Sequence, residues 1–140
     1  MTHRRTVLHA GLALALALLP AACGDGFAPT PADVAGTYDA TSLSGTIGDQ
    51  SYDLLAAGSS ITLTLTAAGA ASGQYVITDS PLGPGSGGAF DGTYTISGTV
   101  LRITVPGGDP FVSGLDWEIG FGTLRAITNN PRAIAVLRRR

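Results

Sequence analysis

Histidine occurs at only two positions, His3 and His9, cysteine at one, Cys23, and lysine at none. All eight basic side chains are arginines, at positions 4, 5, 102, 125, 132, 138, 139 and 140. Beyond the first nine residues the chain therefore has no imidazole to act as a general base near neutral pH. It has no Ser–His or Cys–His nucleophile pair and no Schiff-base lysine. The same absences remove His/Cys sites for zinc, iron or copper. No calcium loop of the Asp-x-Asp-x-Asp-Gly kind is present, and no glycine-rich phosphate loop with its lysine. No metal and no cofactor is called for. What remains is carboxylate, arginine, tyrosine and hydroxyl chemistry.

Two constellations use those residue types. Asp116 and Glu118 lie two apart, which puts both carboxylates on one face of a strand, opposite Trp117 and Ile119. A carboxylate pair can run glycoside hydrolysis; the plainer reading is a solvated outer face, and no residue is assigned a catalytic role. Tyr38, Tyr75, Tyr94 and Trp117 are the second set. They either line a ligand cavity or fill the inside of a small barrel.

Cys23 asks for a different chemistry. A short basic start, Met1–Arg5, leads into the apolar run 6–19, TVLHAGLALALALL. Fourteen residues make an export segment and fall short of the roughly 20 that span a bilayer. The following Leu19-Pro20-Ala21-Ala22-Cys23 resembles the processing box of bacterial lipoproteins, with proline where an aliphatic residue is usual. That resemblance implies removal of residues 1–22 as a signal peptide and a diacylglycerol thioether on Cys23. An unpaired thiol in an oxidising compartment would otherwise be a liability. The predicted address is the bacterial cell envelope, held to the membrane by the lipid. Gly24, rather than an acidic residue, after the cysteine favours the outer membrane. Residues 23–33, with two Gly and two Pro among GDGFAPTPAD, read as a flexible tether.

Residues 34–140 are enough for one domain and too few for two. After loss of the leader, six arginines face ten acidic residues, a net charge of about −4. Such a domain does not suit nucleic acid, whose binding rests on neutralising many phosphates.

The elements that must position these residues are strands. Short runs of Thr, Val, Ile and Leu alternate with Gly/Pro/Ser/Asn punctuation. In 61–66, Ile-Thr-Leu-Thr-Leu-Thr, the period of two predicts Ile61, Leu63 and Leu65 inward and the threonines outward. Residues 93–96 and 99–103 form a hairpin across Ser97-Gly98. Further strands are expected over 36–43, 51–55, 73–78 and 116–121, with Trp117, Ile119 and Phe121 facing the core. A last hairpin joins 124–128 to 133–137. Residues 80–89 and 106–110 read as loops. Eight or nine strands joined by short turns favour a meander, hence an all-β antiparallel up-and-down barrel of about eight strands; a β-sandwich is the alternative. Gly-Thr-Tyr occurs at 36–38 and again at 92–94, either a duplicated hairpin or coincidence in a Gly/Thr-rich chain.

The segments Val34-Ala35-Gly36-Thr37-Tyr38, Ser60–Leu65, Gly92–Gly98 and Leu101–Thr104 resemble the small lipocalin-like domains of bacterial envelope lipoproteins. The resemblance covers residues 34–140. In lipocalins the first strand carries Gly-x-Trp and an arginine near the last strand packs over that ring. Tyr38 takes the aromatic position here, and Arg138 or Arg139 the cationic one. The resemblance implies a non-catalytic module that binds a small apolar ligand or an envelope protein at the barrel mouth. The alternative is a structural or assembly lipoprotein that docks onto an envelope complex. Arg138–Arg140 either touch anionic lipid or keep the terminus solvated.

Overall fold

The computed structural model describes residues 26–109, 111–129 and 132–140. The predicted leader and Cys23 lie outside the described residues.

One turn of helix, α1 (Pro31–Val34), precedes nine strands: β1 (Gly36–Ile47), β2 (Gln50–Asp53), β3 (Ser60–Leu65), β4 (Ala70–Ile77), β5 (Ser86–Ser97), β6 (Val100–Thr104), β7 (Asp116–Gly120), β8 (Thr123–Asn129) and β9 (Arg132–Arg139). Every pairing is antiparallel, and β1 pairs with β9, so the sheet closes on itself. Closure removes the edges that an open sheet would expose and decides for the barrel over the sandwich. β9 occupies one edge of β1 from Tyr38 to Thr46. β2 and β3 must therefore share the other edge, β2 along Ser44–Ile47 and β3 along Gly36–Asp39. They fill a single barrel position, which makes eight in all. Between them the chain leaves the sheet over 54–59 and buries Leu54.

The interior is built by alternation. Ile61, Leu63 and Leu65 are buried as their spacing requires, and so are Tyr75, Phe90, Tyr94, Leu101, Ile103, Trp117, Ile119, Leu124 and Leu137. The threonines between them bond along the outer wall. Thr64 Oγ1 lies 3.2 Å from Thr37 Oγ1, and Thr62 Oγ1 donates to Asp39 at 3.1 Å.

β1 keeps one face buried across its length only by changing parity. Tyr38 is buried at an even position, Leu43 and Gly45 at odd ones. The register with β9 slips between Ala40 and Ser42, leaving Thr41 as an extra residue. This is a β-bulge, and it re-aims the strand without exposing its apolar side chains.

Four expectations need correction. Phe121 does not join the Trp117–Ile119 face. Gly120 pairs with Thr123, so Phe121 and Gly122 form a two-residue turn, with Gly122 at φ 67° and Phe121 89% exposed. The loop read over 80–89 ends at Gly85. Ser86–Ala89 extend β5 because the backbone of Gln74–Ile77 offers them partners, a tertiary pairing that glycine content hides. The β5–β6 turn is Gly98-Thr99, one residue later than predicted, since Ser97 pairs with Val100 and Gly98 takes φ 59°. Residues 31–33, read as the end of the tether, belong to α1, whose Val34 is buried against the barrel.

Candidate functional site: the two ends of the barrel

The alternation of strand directions gives the barrel two ends. At one lie α1, the start of β1 and the turns at 66–69, 98–99 and 121–122; this is the helix end. At the other lie the Gly48-Asp49 turn and the segments 78–85, 105–109 and 111–115; this is the loop end.

The helix end is sealed by hydrogen bonds. Tyr38 donates its hydroxyl to Val34 O at 2.7 Å, and Tyr94 to Thr66 O at 2.6 Å, with Pro31 O further away at 3.3 Å. Both Gly-Thr-Tyr tyrosines thus point their hydroxyls at the same plug. Burial pushes the hydroxyls of Tyr38 and Tyr94 up from their ordinary pKa. Arg139 donates through Nη1 to Asp33 O (2.9 Å) and Ala35 O (3.1 Å), satisfying carbonyls that a helix end leaves unpaired. Its guanidinium carbon stands 6.0 Å from the Tyr38 ring centre, so of the two candidate arginines it is Arg139 that lies over the ring. Arg140 forms a two-pronged pair with Asp39, and the hydrogen bond from Arg140 holds that carboxyl below its ordinary pKa. Outside the plug, a groove of about 420 Å³ runs between Phe27, Pro29, Phe121 and Arg139.

The loop end is apolar and partly open. Asp109 is the fastening point after β6: Oδ1 accepts the N–H groups of Phe111 and Val112 at 2.9 Å each, and Oδ2 accepts the Tyr75 hydroxyl at 3.0 Å. Burial first, and Asp109 second, raise the Tyr75 pKa. Phe111 stacks on Tyr75 with ring centres 4.8 Å apart. On the opposite side, Ser80 and Gly83 exchange backbone hydrogen bonds of 3.1 and 3.0 Å, closing a tight turn that carries Leu82. A β-carbon on Gly45 would lie 2.3 Å from Leu82 Cδ1, so the leucine side chain takes the space that glycine leaves empty. Between these loops lies a cleft of about 260 Å³ lined by Leu54, Ile77, Leu82, Pro84, Phe111, Thr128 and Ala133. A void of about 50 Å³ continues beneath it toward Leu43, Leu115 and Ala135.

The residues singled out from sequence take other places. Tyr38, Tyr75, Tyr94 and Trp117 are all buried and belong to the packed core; none lines the cleft. Trp117 Nε1 has no hydrogen-bond partner among the described residues. Asp116 and Glu118 sit exposed on the outer wall, each beside an arginine. Arg102 grips Asp116 with bonds of 2.6 and 2.8 Å and lowers its pKa, while Arg125 stands 4.0 Å from Glu118. The two acids do not converge on a cleft. No group of three or more His, Cys, Asp or Glu suited to a metal occurs among the described residues. The cleft-lining residues escaped sequence reasoning because six separate segments supply them. One signal was available: Leu82 is the only large apolar residue in a Gly/Pro-rich stretch.

No family model, no curated protein and no solved structure matches the chain.

Proposed function

We propose that the chain is a non-catalytic, lipid-anchored module of the bacterial cell envelope that takes a small apolar group into the loop end of its barrel. The observation that carries this reading is the contrast between the ends. One is sealed by directed hydrogen bonds; the other keeps an apolar cleft with a deeper void below it. Water gains little from wetting such a surface, and an apolar group gains by leaving water for it. Size narrows the ligand. Sites that engulf a drug-sized molecule run to roughly 300–1,000 Å³, whereas this cleft holds about 260 Å³. It suits one end of an acyl chain or a single ring system, with the rest of the ligand in solvent. The membrane is reached through an acylated Cys23, in keeping with the export segment before it, and nucleic acid is not a partner of so acidic a domain.

Two measurements test the reading. The first titrates the protein with N-phenyl-1-naphthylamine, whose emission rises on leaving water. Ala133→Phe fills the cleft from β9 and is expected to abolish the response while the near-ultraviolet dichroism of the core is retained. Absence of binding to the unmodified protein, or unchanged binding to the variant, defeats the mouth as a binding site. The second labels bacteria that express the full chain or Cys23→Ser with a fatty-acid probe. Label in the first and none in the second is expected; equal labelling defeats the anchor.

A further inference from the structure

We propose that the helix end of the barrel seats on the bilayer surface, so that the apolar mouth opens away from the membrane. The inference rests on the anchoring reading, since it needs Cys23 acylated. Phe121 is 89% exposed at the tip of the β7–β8 turn, and Phe27 is 42% exposed beside it, with ring centres 4.8 Å apart. An aromatic pair held out in water is a cost that a soluble surface normally avoids, and it marks an interaction surface. The place of the pair names the partner. Phe27 lies four residues after Cys23, and four extended residues span at most about 14 Å. An acylated Cys23 therefore holds this end, and not the loop end, within reach of the headgroups.

The charges at this end suit such a surface. Arg138 and Arg139 are exposed, while Asp39 balances Arg140 and Asp33 offsets one more charge. With Asp25 of the tether counted, three arginines meet three carboxylates, so this end is near neutral and leaves Arg138 and Arg139 as exposed cations beside two phenyl rings. Apolar rings entering the acyl boundary with cations at headgroup level are the arrangement by which peripheral elements lie on membranes. Arg139 spends Nη1 on the carbonyls of Asp33 and Ala35, which fixes the guanidinium on the groove wall beside Phe27 and Phe121.

The test exploits the single cysteine. In the acylated, processed full chain no thiol remains, so Thr99→Cys at the helix end and Asp49→Cys at the loop end each create a unique labelling site. Thr99 is exposed and reaches Ile119 only through its backbone carbonyl. Each variant is labelled with an environment-sensitive nitrobenzoxadiazole dye and reconstituted in phosphatidylethanolamine/phosphatidylglycerol vesicles that carry a nitroxide-labelled lipid. The dye at position 99 is expected to be quenched several-fold more than the dye at position 49. Adding Phe121→Ser to Thr99→Cys is expected to remove most of that difference. Equal quenching at the two sites in protein that sediments with the vesicles overturns the seating and leaves the anchor standing. The same holds for quenching indifferent to Phe121→Ser. Protein that neither carries fatty-acid label nor sediments overturns the anchor and the seating together.

Discussion

Leu63→Ala should be among the most damaging single changes in the barrel, and its neighbour Thr64→Ala among the mildest. Leu63 is 1% exposed in the middle of β3, opposite Tyr38 on one side and Gly73 on the other. Removing three buried carbons forfeits about 2.4 kcal/mol of transfer free energy at roughly 0.8 kcal/mol each. The surroundings cannot close over the gap. Tyr38 is tethered through its hydroxyl to Val34 O, and Gly73 has no side chain to offer. Phe90 already lies against that glycine, since a β-carbon there would meet Phe90 Cζ at 2.9 Å. A residual void of a few tens of Å³ costs about another 1 kcal/mol at roughly 24 cal/mol per Å³.

The expected loss for Leu63→Ala is thus about 3–4 kcal/mol, a large part of a small domain's stability. Thr64→Ala removes one half-buried hydroxyl contact of 3.2 Å with Thr37, which water replaces. Its cost should stay below about 1 kcal/mol. Urea unfolding of the two variants side by side, at unchanged slope, reads the difference as a shift in midpoint. If Thr64→Ala costs as much as Leu63→Ala, the strand is inside out relative to this structure and the barrel interior is polar.

Gly73→Ala should destabilise by about 3 kcal/mol or more, because its β-carbon would stand 2.1 Å from the backbone oxygen of Thr62 and neither strand can yield freely; thermal melts followed by circular dichroism check it, and a change near zero would show that β3 and β4 can separate locally. Alkali should unfold the domain through its tyrosines. The pKa values of Tyr38, Tyr75 and Tyr94 lie above the ordinary 10.0, in each case chiefly because burial favours the neutral phenol. Their contribution is present in full below pH 10 and disappears as the pH rises through the folded values. Phenolate absorbance from these three should therefore appear together with loss of the near-ultraviolet dichroism; phenolates that form at ordinary pH in a folded barrel would contradict it.

What could be read from the residues is what obeys a local period. Ile61, Leu63 and Leu65 alternate with threonine, and the buried face followed. Trp117 and Ile119 obey the same rule, but Phe121 does not, because Gly122 ends the strand and a turn overrides periodicity. The glycine was visible; its consequence for the residue before it depends on the Gly120–Thr123 pairing. In β1 a local period stops predicting the buried face. Its inward residues switch from even to odd at Thr41, and a bulge leaves no mark in a Thr/Ser-rich run. The cleft was less legible still. Tyr38, Tyr75, Tyr94 and Trp117 are large enough to fill a small barrel, and they do. The cleft is lined instead by residues from β4, β8, β9 and three connecting segments, which meet only once the barrel has closed.

The two ends also differ in what holds them, and this bears on how a ligand enters. At the helix end the plug is fastened by directed bonds from Tyr38, Tyr94 and Arg139 to backbone oxygens; the Arg139 bonds are exposed, but breaking either tyrosine bond would strand a buried or half-buried hydroxyl at about 1–3 kcal/mol. At the loop end the hydrogen bonds described for the Leu82 turn are internal: Ser80 with Gly83, Leu82 N to Ser80 Oγ, and Gly85 N to Asp79. Only apolar contact holds Leu82 over Gly45. Leu82 is half-buried, so that contact is worth less than the roughly 1.5–3 kcal/mol of full burial. Swinging Leu82 aside strands no polar group, and an apolar ligand would return the contact it displaces. The position that makes this arrangement possible is Gly45, since a β-carbon there would stand 2.3 Å from Leu82 Cδ1 and the leucine would have to shift from its seat.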